Sequence, residues 1–157
     1  MTLTVGHIVP SWLPRTETFT DALIRSMPDV RHRILTTRTE NLDLFPTNDL
    51  VVARSEDDYP RLAAEHRVNL LLAHFGPSGV AALPAAIVND LPLVTIFHGY
   101  DMSMVLRDPK WVARYRALFR FSAHGITVCE SGRKRLIDAG MPEIGRASCR
   151  ERVCLVV

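Results

Sequence analysis

Three short polar clusters carry side chains that could handle a hydroxyl-rich or phosphorylated ligand: Pro14-Arg15-Thr16-Glu17-Thr18-Phe19, Ala73-His74-Phe75-Gly76 and Phe97-His98-Gly99-Tyr100-Asp101. A neutral imidazole, at His74 or His98, offers one donor and one acceptor. A glycine at a strand end, Gly76 or Gly99, lets backbone approach a ligand closely. Asp101 could bind a hydroxyl or cap the helix after it. In the first cluster, Thr16 is the expected N-cap, with Glu17 and Thr18 opening a helix whose free N–H groups can receive an anion or a sugar hydroxyl. Each cluster also has a plain structural reading. Thr16 could do nothing but cap, His74 could be a satisfied core histidine, and His98 could hydrogen-bond backbone in a strand-to-loop turn.

The second and third clusters directly follow the apolar runs Leu70-Leu71-Leu72 and Leu93-Val94-Thr95-Ile96. The first follows Val5-Gly6-His7-Ile8-Val9 after a short loop. Strand patterns over residues 4–10, 33–37, 49–53, 69–73, 92–97 and 125–129 alternate with helical patterns over 17–26, 59–66, 78–89, 108–121 and 132–139. That alternation specifies an α/β fold with a parallel sheet and crossover helices. Phe19, Leu23 and Met27 are spaced as the core-facing stripe of the first helix, and Trp111, Tyr115, Leu118 and Phe119 as that of the fourth. Ser131 is the expected cap of the last helix and Gly140 its stop. Ligands of open parallel sheets bind at the carboxyl ends of the strands. The three clusters should therefore meet on one edge.

Composition narrows the function classes. The chain has 157 residues, 47% of them hydrophobic, which suits a soluble domain with a real core. A net charge of +2 with no long run of one sign argues against nucleic acid as a partner. Arg133-Lys134-Arg135 reads as a solvated helix face, with a weak attraction to anionic lipid head groups as the alternative. No charged segment followed by a long apolar stretch opens the chain, and no apolar run approaches the ~18–20 residues that span a bilayer. Three cysteines without metal-ligand spacing point to a reducing compartment, so a cytoplasmic location is expected. The glycine-rich dinucleotide and phosphate-loop motifs are missing, as is the nucleophile elbow. A metal site built from His74, His98 and Asp101 is a minor alternative, since the sequence offers no local two-ligand motif; no metal and no cofactor are expected.

Residues 143–157 stand apart. Glu143-Ile144-Gly145-Arg146-Ala147-Ser148-Cys149-Arg150-Glu151-Arg152-Val153 looks like translated sequencing-adapter DNA, shows no helical or strand period, and follows a helix stop at Gly140-Met141-Pro142. Natural sequence is thus expected to end near Pro142, with residues 1–142 as the domain. Those residues carry 16 Lys+Arg and 15 Asp+Glu, so removing the tail leaves the chain near neutrality.

Together the clusters resemble the N-terminal domain of family 4 retaining glycosyltransferases, most closely the subgroup that builds exopolysaccharide and colanic-acid-type polymers. Pro14-Arg15-Thr16-Glu17-Thr18-Phe19 is similar to that subgroup's Pro-x-x-Ser-Glu-Thr-Phe, with threonine in place of serine and one residue fewer after the proline. His74-Phe75-Gly76, Phe97-His98-Gly99-Tyr100-Asp101 and the segment from Val128 to Gly140 match three further elements in the family's order. The resemblance implies a Rossmann-like open parallel sheet with helices on both faces, the N-terminal half of a two-domain GT-B fold. It implies transfer, with retention, from a nucleotide-sugar donor to a glycan or lipid-linked acceptor, without an obligatory metal, and peripheral contact with the inner membrane face. His98 would contact the donor sugar near the reacting centre. His74, Phe75, Gly76, Gly99, Asp101 and the loop of Thr16, Glu17 and Thr18 would line the substrate side. The family's C-terminal donor domain, with its spaced glutamate pair, has no counterpart here, so the chain is expected to be inactive alone. The alternative is a free-standing α/β module that binds carbohydrate or nucleotide without chemistry.

Overall fold

The structure is a computed structural model that describes residues 2–142, together with the backbone of residues 146–147 and 154–156. Strands β1 (Thr4–Ile8), β2 (Arg31–Thr36), β3 (Leu50–Val52), β4 (Leu70–His74), β5 (Leu93–Phe97) and β6 (His124–Thr127) form a parallel sheet in the order β3-β2-β1-β4-β5-β6. Two short antiparallel strands, β7 (Arg146–Ala147) and β8 (Cys154–Val156), continue the edge beyond β6. They fall in the stretch whose sequence shows no strand period. The order reverses direction between β1 and β4, which is where a crevice opens in folds of this kind.

Helices cover both faces. Helix α1 (Thr18–Arg25) packs on one face, where its Leu23 meets Val5, Leu72 and Ile96. Helices α2 (Tyr59–Glu65), α3 (Gly76–Val88), α5 (Pro109–Phe121) and α6 (Glu130–Asp138) pack on the larger cluster built around Leu71, Ala73, Leu93 and Phe97. A short helix α4 (Tyr100–Ser103), missing from the sequence reading, sits directly after β5. Alternation along β4 sends Leu71 and Ala73 to the α3 side and Leu72 to the α1 side. His74 continues the α1-side series.

Several expectations change. Thr16 is exposed and does not cap α1; Glu17 holds that position through its backbone alone, because the Pro14–Glu17 turn (Glu17 N–H to Pro14 O, 2.9 Å) delays the helix. The buried face of α1 is Thr20 and Ile24, while Phe19 leans out at 39% exposure. Helix α3 starts two residues early, at Gly76. Ser131 lies inside the first turn of α6, whose N-cap is Cys129. The stop at Gly140 is as expected, with φ at +108°.

Candidate functional site

The chain segments after β1, β4 and β5 lie side by side at the carboxyl edge, and a single buried carboxylate ties the latter two together. Asp101 has no exposed surface. Its Oδ1 accepts from the backbone N–H of His98 and of Gly99, both at 2.9 Å, and its Oδ2 accepts from the N–H of Gly76, also at 2.9 Å. Its own carbonyl accepts from the Tyr115 hydroxyl at 3.2 Å. Asp101 was expected to bind a hydroxyl or cap a helix. The structure instead turns its whole carboxylate to backbone, because three otherwise unpaired N–H groups sit beneath the crevice and would be costly left empty.

Both loop glycines are explained by geometry. Gly99 sits at φ +132°, with open space around a would-be Cβ, so only its backbone conformation demands glycine. Gly76 differs: a Cβ there would run into the Tyr115 ring and hydroxyl and into Phe97. Gly76 thus serves packing, and its amide is spent on Asp101 rather than free for a ligand. Just before Gly76, Phe75 holds φ at +74°, a conformation costing about 1–3 kcal/mol for a side chain of its size. Bonds from Phe75 N–H to Ile96 O (2.8 Å) and from Gly79 N–H to Phe75 O (3.1 Å) keep it there.

The result is an aromatic rim around one imidazole. The His98 ring lies 4.4 Å from that of Phe19 and 4.7 Å from that of Phe75, and the two phenylalanines meet edge-on at 6.2 Å. On its inner side His98 stacks over His74, with centroids 6.1 Å apart and planes 8° from parallel. Burial holds the His98 pKa below its ordinary value, against the opposing pull of Asp101, so the ring is neutral at pH 7. Its Nε2 has no partner. His74 is fully buried and is pushed well below the ordinary histidine range by burial, then by His7 and His98. It forms the floor rather than the wall of the crevice. Thr16 and Thr18 are exposed at the rim, and Glu17, half-buried, has its pKa raised by burial and by nearby Glu40.

The metal alternative loses its geometry here. The Asp101 carboxylate faces amides, and among the described residues no three His, Cys, Asp or Glu side chains are grouped to hold a metal. Also among the described residues, no helix is long and apolar enough to cross a membrane.

Comparison with known proteins follows the same residues. Residues 15–146, from the first polar cluster past the end of α6, match the family model of Glycosyltransferase Family 4. The chain belongs to Glycosyltransferase Family 4. No curated protein sequence matches it significantly. Among solved structures, this family 4 chain is similar to Anabaena Alr3699/HepE in complex with UDP-glucose, at TM-score 0.71 and 16% identity over 89% of this chain and 41% of that one. It is also similar to UDP-N-acetylglucosamine 2-epimerase from Rickettsia bellii (TM-score 0.64, 16% identity, 90% and 43%) and to UDP-GlcNAc 2-epimerase from Neisseria meningitidis bound to UDP-GlcNAc (TM-score 0.60, 12% identity, 90% and 44%). At these identities the likeness concerns the fold. The family 4 chain spans less than half the length of each of these structures.

Proposed function

We propose that this chain is the acceptor-side half of a retaining glycosyltransferase, which moves a sugar from a nucleotide-sugar donor to a glycan or lipid-linked acceptor. The observation that carries the reading is the His98 constellation: a neutral imidazole, unpartnered at Nε2, framed by Phe19 and Phe75 and held at the end of β5 by backbone pinned to Asp101. Aromatic rings offer flat apolar faces to a sugar ring, and a neutral imidazole can donate to or accept from its hydroxyls. Neutrality suits a group that must sit beside developing positive charge at an anomeric carbon without repelling it. Gly99, Thr16, Glu17 and Thr18 complete the rim, while His74, Gly76 and Asp101 support it from below.

Fold likeness alone does not separate transferases from epimerases. Family membership and the aromatic-flanked histidine together favour transfer. Stabilisation of a leaving nucleoside diphosphate needs preorganised donors of positive potential. We assign that task to a second domain, and the chain by itself is then inactive in sugar transfer.

Calorimetric titration with a nucleotide sugar and, separately, with short oligosaccharides tests the reading. At least one class is expected to bind, and His98→Ala to weaken it about tenfold, the equivalent of about 1.4 kcal/mol. Equal affinity in the variant would overturn the role of His98. Sugar transfer by the chain alone would overturn the division of labour.

A further inference from the structure

On the α1 face of the sheet, four histidines stand in file from the outer edge to the crevice. His32 Nε2 lies 2.9 Å from the Met27 carbonyl oxygen, His7 Nε2 lies 3.0 Å from His32 Nδ1, and His74 Nε2 lies 3.2 Å from His7 Nδ1. His98 stacks above His74. His7 and His74 have no exposed surface, whereas half-buried His32 lines a cavity of about 320 Å³ together with Asp21, Arg25 and Asp49.

The file has a direction, and chemistry fixes it. A carbonyl oxygen only accepts, so His32 must carry its hydrogen on Nε2. When His32 is neutral, its Nδ1 is then a lone pair, and His7 must donate from Nε2. His7 Nδ1 becomes a lone pair in turn, so His74 donates from Nε2. His74 Nδ1, buried and without a partner, is left as a bare acceptor beneath the crevice. When His32 carries a second proton, every link reverses. His32 Nδ1 donates to His7, His7 Nδ1 donates to His74, and His74 Nδ1 carries a hydrogen.

We propose that His74, His7 and His32 form a one-proton relay connecting the crevice floor to the outer cavity. A proton accepted at His74 Nδ1 releases the Nε2 proton of His74 to His7 Nδ1. His7 in turn releases its Nε2 proton to His32 Nδ1. One proton enters, each inner ring ends neutral with its hydrogen moved to the other nitrogen, and the positive charge stands on His32. Burial disfavours charge on either inner ring, holding His7 down to about 3 and His74 well below its ordinary value. At the outer end Asp21 and Asp49 face the cavity, Asp21 paired with Arg25 at 2.7 Å and Asp49 with Arg33 at 2.9 Å. At the inner end the facing groups are His98 and, behind it, Asp101. His7 and His32 are thus positioning residues that decide whether His74 presents a lone pair or a hydrogen. The geometry stands independently of the sugar-transfer reading.

Ring ¹⁵N spectra of the histidine-labelled chain, followed from mildly alkaline to mildly acid pH, read the tautomers directly. At the alkaline end all three rings are expected as Nε2–H. As His32 takes its proton, His7 and His74 are expected to switch together to Nδ1–H, both still neutral and both with the midpoint of His32. In His32→Phe that switch is expected to vanish. Fixed tautomers on His7 and His74 through the His32 titration would overturn the relay, as would a switch that follows His98 or one that persists in His32→Phe. The wild-type titration decides the matter even if the variant does not fold.

Discussion

A carboxylate with no exposed surface has to answer something in the fold, and Asp101 answers three backbone amides drawn from two different loops. Charge-assisted bonds of this kind contribute more than neutral ones, and emptying them leaves donors buried and unpaired. Asp101→Asn keeps the shape but has one acceptor oxygen, so it can serve either Gly76 or the His98–Gly99 pair. It is expected to lower stability by about 2 kcal/mol, and Asp101→Ala by about 3 kcal/mol or more, in denaturant titration. An Asp101→Asn protein as stable as the wild type would show that the two loops do not depend on it. At this scale the sequence was half legible. His74 and His98 announce themselves by following apolar strands. The role of Asp101 does not, because one partner, the amide of Gly76, lies 25 residues upstream and backbone amides have no residue type to read. His7 and His32 were invisible for a related reason: His7 sits in an apolar strand, and nothing local says that its neighbours across the sheet are also histidines.

Elements are held at the crevice by two glycines that fail for different reasons when replaced. At the start of α3, Gly76→Ala pushes a methyl into Tyr115 and Phe97, an overpacking cost of about 1–3 kcal/mol. At the end of β5, Gly99→Ala meets no neighbour and pays only for its φ of +132°, again about 1–3 kcal/mol. A double-mutant cycle separates them. Tyr115→Phe removes the hydroxyl that the Gly76 methyl would strike, so the two substitutions together are expected to cost less than their sum. Tyr115→Phe with Gly99→Ala, linked only through Asp101, is expected to couple much less. Equal coupling in both pairs would contradict the packing explanation for Gly76. Strand and helix order was readable because apolar runs and helical stripes alternate cleanly. The starts of α2 at Tyr59 and of α5 after Asp108 were readable too, but those of α1, α3 and α6 were not: Glu17, Phe75 and Cys129 occupy N-cap positions without a side-chain cap, so the residues that normally mark a start were in the wrong place.

For the molecule as a whole, burying neutral histidines ties stability to pH. His7 is held at about 3 in the folded chain and titrates near 6.5 when unfolded, and His74 is displaced in the same direction. The unfolded chain therefore binds more protons below about pH 6.5, so stability rises with pH there and is lost as pH falls towards 3. Each such histidine contributes a slope of about 1.4 kcal/mol per pH unit. Denaturation midpoints are expected to fall between about pH 7 and about pH 5, and His7→Phe is expected to weaken that dependence. A wild-type protein equally stable at both values would contradict the burial of these rings. The sheet order was legible as a class, a parallel α/β sheet with helices on both faces. The reach of that sheet beyond β6 was not, since β7 and β8 arise in a stretch without strand periodicity. The central claim, that the edge formed after β1, β4 and β5 is where sugar chemistry happens, is tested most directly by mapping backbone amide shifts of the labelled chain during titration with UDP-glucose and with short glycans. Perturbations centred on Thr18, Phe75, His98 and Gly99 are the expected result. Saturable shifts confined to the cavity beside His32, or to the far face around α5 and α6, would contradict it.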